Sequence, residues 1–179
     1  MNTIEHIYIK KACEKSDINE HLPTLRYYAS KCDHVTEFGV RGIVSTWALL
    51  AARPKCLVSV DIVKPDLSEI LGIANEIGVR FQFIHGDTRK IDIEPTDMLF
   101  IDTLHTEEQM RIELDRHSGQ VRKFIAMHDT FFYGENGELP DTKGILVAIR
   151  EFLDQNKDQW KIDFKTDDNN GLMALKRVQ

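Results

Sequence analysis

Apolar residues along the chain fall into short β-branched runs separated by amphipathic stretches. After a lead-in from Thr3 to Ser30 with mixed helical periodicity, broken near Leu22-Pro23, His34 to Phe38 reads as a short strand ending at Gly39. Gly42 to Arg53 reads as a helix, apolar at Ile43, Trp47, Leu50 and Ala51 and stopped by Pro54. Cys56 to Ile62 is a strand, Asp66 to Ile77 a helix stopped by Gly78, and Arg80 to His85 a strand turned by Gly86-Asp87. Asp97 to Asp102 is a nearly continuous apolar strand, Glu107 to His117 a helix, and Lys123 to His128 a strand. A polar loop from Thr130 to Lys143 leads to a helix over Gly144 to Asn156. Two closing strands, Trp160 to Thr166 and Leu172 to Lys176, flank Asp-Asp-Asn-Asn-Gly, a hairpin signal.

Strands that do not alternate polar with apolar are covered on both faces. When they alternate with helices, the sheet is parallel. The predicted fold is therefore α/β, a doubly wound Rossmann-like sheet, mostly parallel, with a C-terminal antiparallel hairpin. One domain over 1–179 is expected, with a helical lead-in over 1–32 and a ligand-binding sheet over 33–179. Ligands of such sheets bind outside the carboxyl ends of the strands, where strand order reverses. Each of the first five strands carries an acid at or just after that end: Glu37, Asp61, Asp87, Asp102 and Asp129.

Composition narrows the setting. With 42% hydrophobic residues over 179 positions the chain can build a core without staples. A formal charge of -6 repels polyanions on average, so no nucleic-acid partner is expected. No apolar run reaches the length of a membrane span, and the charged start MNTIEHIYIKKACEK does not read as a signal peptide. Cys13, Cys32 and Cys56 form no C-x-x-C pair and read as reduced thiols, which points to a cytoplasmic protein.

The turn Thr36-Glu37-Phe38-Gly39-Val40-Arg41-Gly42-Ile43-Val44-Ser45-Thr46 carries two glycines that let backbone approach a ligand at a helix start. It is not G-x-G-x-x-G, because Arg41 and Val44 stand where a dinucleotide site has glycines. Glu37 at the strand tip would repel a diphosphate and attract a cation. S-adenosylmethionine supplies an ammonium and a sulfonium, and its carboxylate could take hydrogen bonds from Ser45 and Thr46. Asp61 suits paired hydrogen bonds to ribose hydroxyls, and Asp87 could accept from an adenine amino group. An NAD- or nucleotide-sugar-binding enzyme on the same sheet is one alternative. A catalytically silent nucleoside-binding protein is another.

The segments EFGVRGIVSTW, VSVDI, HGDTRK, FIDTLHT and AMHDTFF, in this order, resemble class I S-adenosylmethionine-dependent methyltransferases. The closer resemblance is to small-molecule O-methyltransferases related to cephalosporin-biosynthesis and macrolide-sugar enzymes. It covers about residues 33 to 177 and implies a seven-stranded sheet with a reversed last strand. Arg41 departs from the second glycine of many members. The expected cofactor set is Glu37, Gly39, Gly42, Ser45, Thr46, Asp61, Asp87 and Asp102. The resemblance also implies a divalent cation held by Asp102, His128 and Asp129. Carboxylates suit magnesium, while a histidine shifts the preference toward manganese.

A substrate hydroxyl must lose its proton to attack a methyl group. Asp102 and His105 are the candidate catalytic pair, with His105 as general base. The loop from Phe131 to Lys143 could cover the substrate, with Phe131, Phe132 and Tyr133 as walls and Gly134, Gly137 and Gly144 as hinges. His85 reads as a core or strand-end histidine. His6, His21, His34 and His117 stand without a constellation in the sequence. The expected partner is a small-molecule methyl acceptor, with no membrane and room for a homodimer.

Overall fold

The computed structural model describes residues 3–178. The strands are β1 (His34–Phe38), β2 (Cys56–Asp61), β3 (Arg80–His85), β4 (Thr96–Ile101), β5 (Val121–His128), β6 (Trp160–Thr166) and β7 (Leu172–Arg177). They form one sheet in the order β3-β2-β1-β4-β5-β7-β6. The first five are parallel, and β7 runs antiparallel to both β5 and β6. The hairpin therefore does not simply extend the edge: its second strand lies inside it. Side-chain character agrees, since Leu172 to Leu175 are all buried while β6 is largely exposed beyond Trp160.

Among the described residues the α-helices are α1 (Thr3–Cys13), α2 (Leu22–Ala29), α3 (Val44–Ala51), α4 (Ser68–Glu76), α5 (Glu107–His117) and α6 (Ile145–Gln155). None is long and apolar enough to cross a membrane. The lead-in is α1 and α2 joined by a short 3-10 turn, Asn19–His21. Pro23 does not break a helix here. It sits in the first turn of α2, where its missing N–H is no loss. Residues of α1 to α4 pack on one face of the sheet with Leu57, Met98 and Phe100. Residues of α5 and α6 pack on the other with Phe38, Leu99, Ile101 and Ile125. Each such side chain removed from water contributes roughly 1.5–3 kcal/mol. α5 has the predicted bounds, while α3, α4 and α6 are shorter than predicted by one or two residues at each end, as expected of frayed ends.

Strand order reverses between β1, which leads outward to β2 and β3, and β4, which leads to β5. Gly39 sits at this switch with φ +83. Its amide donates to Val60 O (2.9 Å), and the Asp102 amide donates to Phe38 O (2.8 Å). A Cβ on Gly39 would lie 1.8 Å from the carbonyl oxygen of Asp102. Both the backbone angle and the contact require glycine.

Beneath the turn lies Glu37, fully buried. Its carboxylate accepts from Ser45 Oγ (2.6 Å), Thr46 Oγ1 (2.9 Å) and Ser59 Oγ (2.6 Å), binding β1, α3 and β2 together. Burial pushes its pKa up to about 7, and the three hydroxyls only partly offset that.

Two stability measurements test this framework. Gly39→Ala should cost at least about 3 kcal/mol in urea unfolding, from left-handed strain plus a backbone clash. Gly72→Ala, in α4 with open space around it, should stabilise by about 0.5–1 kcal/mol. Equal effects would contradict the switch contact. For Glu37, the unfolded chain releases its proton near the ordinary value of 4.5, whereas the folded chain keeps it until about 7. Its contribution to stability is therefore greatest at low pH and declines as pH rises through that window, by on the order of 3 kcal/mol. The stability difference between wild type and Glu37→Gln should shrink by that amount from pH 4.5 to 7. A difference that stays flat with pH would refute it.

Candidate functional site

Past the carboxyl ends of β4 and β5 the chain places Asp102, His105, His128 and Asp129 in one cluster. β4 delivers Asp102 and β5 delivers His128 and Asp129, as adjacent parallel strands must. Thr106 caps α5 by accepting from the Gln109 amide (3.3 Å), so Asp102 is not spent as a helix cap. Asp129 is held at φ 58, in the left-handed region that aspartate and asparagine enter more readily than other non-glycine residues.

The polar atoms alternate. Asp102 Oδ1 lies 3.2 Å from His105 Nε2 and 3.3 Å from His128 Nδ1. Asp129 Oδ2 lies 3.0 Å from His105 Nε2 and 3.2 Å from His128 Nδ1. Burial disfavours charge on both rings, but the two carboxylates outweigh it and raise each histidine to about 10. Conversely, burial would raise the acids, yet the histidines hold Asp102 down at about 2 and Asp129 far below the usual carboxylate range. Three buried atoms in consecutive residues have no hydrogen-bond partner: His128 Nε2, Asp129 Oδ1 and Thr130 Oγ1. Ligand atoms of Asp102, His128 and Asp129 all lie within 4.8 Å of one another.

His105 differs from expectation. Its Nδ1 meets Glu138 Oε2 (2.9 Å), and its ring stacks on Tyr133 with centroids 5.0 Å apart. Both ring nitrogens are engaged, leaving none free to accept a substrate proton in this arrangement. The glycines of and beside the Phe131–Lys143 loop are closely packed. Added Cβ atoms at Gly134, Gly137 and Gly144 would come within 2.5 Å of loop atoms, so these residues serve close packing. Phe131 and Phe132 remain exposed beside the cluster, as candidate walls should.

Around the glycine turn the structure corrects several roles. Glu37 does not face a ligand. Its buried carboxylate is enclosed by the hydroxyls of Ser45 and Thr46, which are thereby not free donors. Gly42 has neither a positive φ nor a close neighbour that demands glycine; the left-handed residues are Gly39, Arg41 and Ile43. Asp61 holds the turn itself, accepting from the amides of Val40 (2.7 Å), Arg41 (3.0 Å) and Val63 (2.8 Å). Asp87 is gripped by Arg89 through paired contacts of 3.0 and 2.9 Å and by Lys90 at 3.3 Å. Arg41 pairs with Asp17 of the lead-in.

Four groups near the site escaped sequence reading. His21 packs edge-on against His128 at 5.4 Å and its Nε2 meets Asn169 O at 2.8 Å, tying the lead-in and the β6–β7 turn to the cluster. Glu113 is fully buried and takes hydrogen bonds from Thr88, Thr103 and Gln109, linking the loops after β3 and β4. Glu138 and Thr130 complete the set. Only Glu138 had any local signal, as an acid in an unusually long loop.

No family model matches the sequence, and no curated protein matches it. Solved structures do. An O-methyltransferase from Bacillus cereus in complex with S-adenosylhomocysteine superposes with a TM-score of 0.67 at 15% identity, covering 99% of this chain and 90% of that one. TomG from Streptomyces achromogenes, an O-methyltransferase of tomaymycin synthesis in complex with S-adenosylmethionine, gives 0.64 at 16% identity over 97% and 90%. NodS, an N-methyltransferase from Bradyrhizobium japonicum in complex with S-adenosylhomocysteine, gives 0.63 at 13% identity over 99% and 100%. Sheet order, reversed β7 and these superpositions agree: the chain has the fold of the class I S-adenosylmethionine-dependent methyltransferases.

Proposed function

We propose that the chain is an S-adenosylmethionine-dependent methyltransferase acting on a hydroxyl of a small molecule, assisted by a divalent cation. The observation that carries this reading is the juxtaposition at the switch point. The Gly39 turn, with its Asp61 brace, lies against the backbone of Asp102, and Asp102 opens the polar cluster. A nucleoside cradled by the turn and an acceptor at the cluster would be neighbours.

The residues fit both groups. Gly39 leaves a surface without side-chain bulk, and Asp61 remains half-exposed with acceptor capacity toward a ribose. Asp102, His128 and Asp129 offer close-set donors, and the orphaned Asp129 Oδ1 is a buried acceptor awaiting a positive partner. When bound there, a cation would lower the pKa of the acceptor hydroxyl and orient its oxygen. In the transfer, the acceptor oxygen forms a bond to the methyl carbon as the carbon–sulfur bond breaks. The electron pair goes to sulfur, and the hydroxyl proton leaves to solvent or a nearby base. The chain's own contribution is to hold acceptor and sulfonium in line. The exposed Phe131 and Phe132 and the half-buried Tyr133 give the acceptor side an aromatic wall suited to a planar or apolar molecule. Oxygen is favoured over nitrogen as acceptor because a hydroxyl gains most from a cation that eases its ionisation. As a working location we keep the cytoplasm, in line with free Cys13, Cys32 and Cys56.

Calorimetry should detect binding of S-adenosylhomocysteine and none of NAD. Absence of binding at millimolar concentration would overturn the reading. Asp61→Ala should weaken that binding by about 1–3 kcal/mol, roughly 5- to 150-fold, and unchanged affinity would remove Asp61 from the cofactor site. Asp129→Ala, or treatment with EDTA, should abolish turnover while sparing cofactor binding; turnover that survives both would exclude cation assistance.

A further inference from the structure

S-adenosylmethionine, as proposed above, brings three charges to the rim of the sheet. Its ammonium and sulfonium suit the acids there, but its carboxylate is repelled by them. The hydroxyls on the first turn of α3 do not serve that carboxylate, because Ser45 and Thr46 both donate inward to Glu37. A carboxylate near Asp102 and Asp129 needs a fixed positive charge close to the Gly39 turn.

Arg41 supplies one. It stands in that turn at φ 37, and its amide donates to Asp61 Oδ2 (3.0 Å). The residue proposed for the ribose therefore holds the peptide that carries the guanidinium. The hydrogen bond to Asp17 is the main influence raising the guanidinium above its usual range, and the charges of Asp102 and Asp129 add to it. Arg41 thus stands within electrostatic reach of the cluster while its backbone is tied to Asp61. A nucleoside on the turn with its sulfur toward the cluster would carry its amino-acid chain into that region.

Arg41 already holds a carboxylate, though weakly. Asp17 of the lead-in takes a single nitrogen, Nη2, of a fork shaped to grip a carboxylate with two. The pair is open to solvent, with side-chain exposures of 78% for Arg41 and 36% for Asp17, and such pairs contribute little to stability. The turn that carries Asp17 is fixed by other bonds. Asn19 Oδ1 accepts from the Ser16 amide (3.0 Å), and Asn19 Nδ2 donates to Ala12 O (3.1 Å). The Asp17 carboxylate can therefore give way at small cost.

We propose that Arg41 is the seat for the carboxylate at the amino-acid end of the cofactor, and that Asp17 fills this seat as an internal competitor until the cofactor displaces it. This rests on the cofactor of the proposed function and adds a specificity, for nucleosides that carry an amino acid over those that do not. A seat filled by the chain's own carboxylate lowers apparent affinity according to the fraction of time it is filled. Removing Arg41 and removing Asp17 therefore act in opposite directions.

The test compares two ligands by calorimetry on the full chain: S-adenosylhomocysteine, and methylthioadenosine, which shares the nucleoside and thioether but has no carboxylate. Arg41→Gln should weaken S-adenosylhomocysteine by about tenfold or more and leave methylthioadenosine unchanged. Arg41→Lys should recover part of the loss. Asp17→Asn should tighten S-adenosylhomocysteine by about threefold or more, again without effect on methylthioadenosine. Retained methylthioadenosine binding also shows that the turn of each variant is intact. Equal loss of both ligands in Arg41→Gln overturns the proposal, as does Asp17→Asn binding S-adenosylhomocysteine no more tightly than wild type, the result expected of a pair that only braces the turn. Wild-type binding of S-adenosylhomocysteine that neither substitution alters removes Arg41 from the site and leaves the cofactor standing. Failure of the wild type to bind either nucleoside sinks both together.

Discussion

The contact between the Gly39 Cα and the Asp102 carbonyl is the constraint on which the site depends. It lets β1 and β4 end flush at the reversal of strand order, with turn and cluster back to back. A side chain there would pry the two loops apart by more than an ångström. The in-line transfer proposed for this site would tolerate little such displacement, because its rate rests on near-attack geometry. The backbone thus fixes a distance that no pair of side chains could fix as firmly.

Polar burial supports this junction from beneath. Glu37 ties three elements under the turn, and Glu113 ties the loops after β3 and β4. Both carboxylates are satisfied by three donor residues each, which is the condition for a buried acid to be tolerated. Their role is to set the loops that a ligand would meet, one layer removed from it. A charge count at the strand tips does not separate these two kinds of acid. Glu37 precedes the glycine and lies within the sheet, whereas Asp102 and Asp129 follow their strands and open outward.

That distinction marks where sequence reading succeeds and stops. Parallel strands read out from apolar runs, and the switch-point rule turned acids at strand ends into a site. Asp102, His128 and Asp129 were legible because adjacent strands of known direction must bring their tips together. The position of β7 inside β6 was not stated by the hairpin signal, although its four consecutive buried residues hinted at it. His21 carried no signal at all: its partners lie at His128 and Asn169, far along the chain, and only packing unites them. Ser45 and Thr46 were misassigned because a hydroxyl near a helix start can turn outward to an anion or inward to a buried acid, and only burial of Glu37 decides between them.

The placement of β7 reaches further than the sheet. Because among the described residues β6 pairs with no strand but β7, it has no neighbour to dock on until the later segment has crossed back and lodged beside β5. That same lodging sets Leu172 opposite His128 and brings the Asn170 carbonyl onto the amides of Phe131 and Phe132. Assembly of the polar cluster is thereby coupled to a long-range closure step, the slow kind in folding kinetics. A chain caught before that closure would carry a formed Gly39 turn beside an unfinished polar cluster, so these two parts of the switch point should mature at different times.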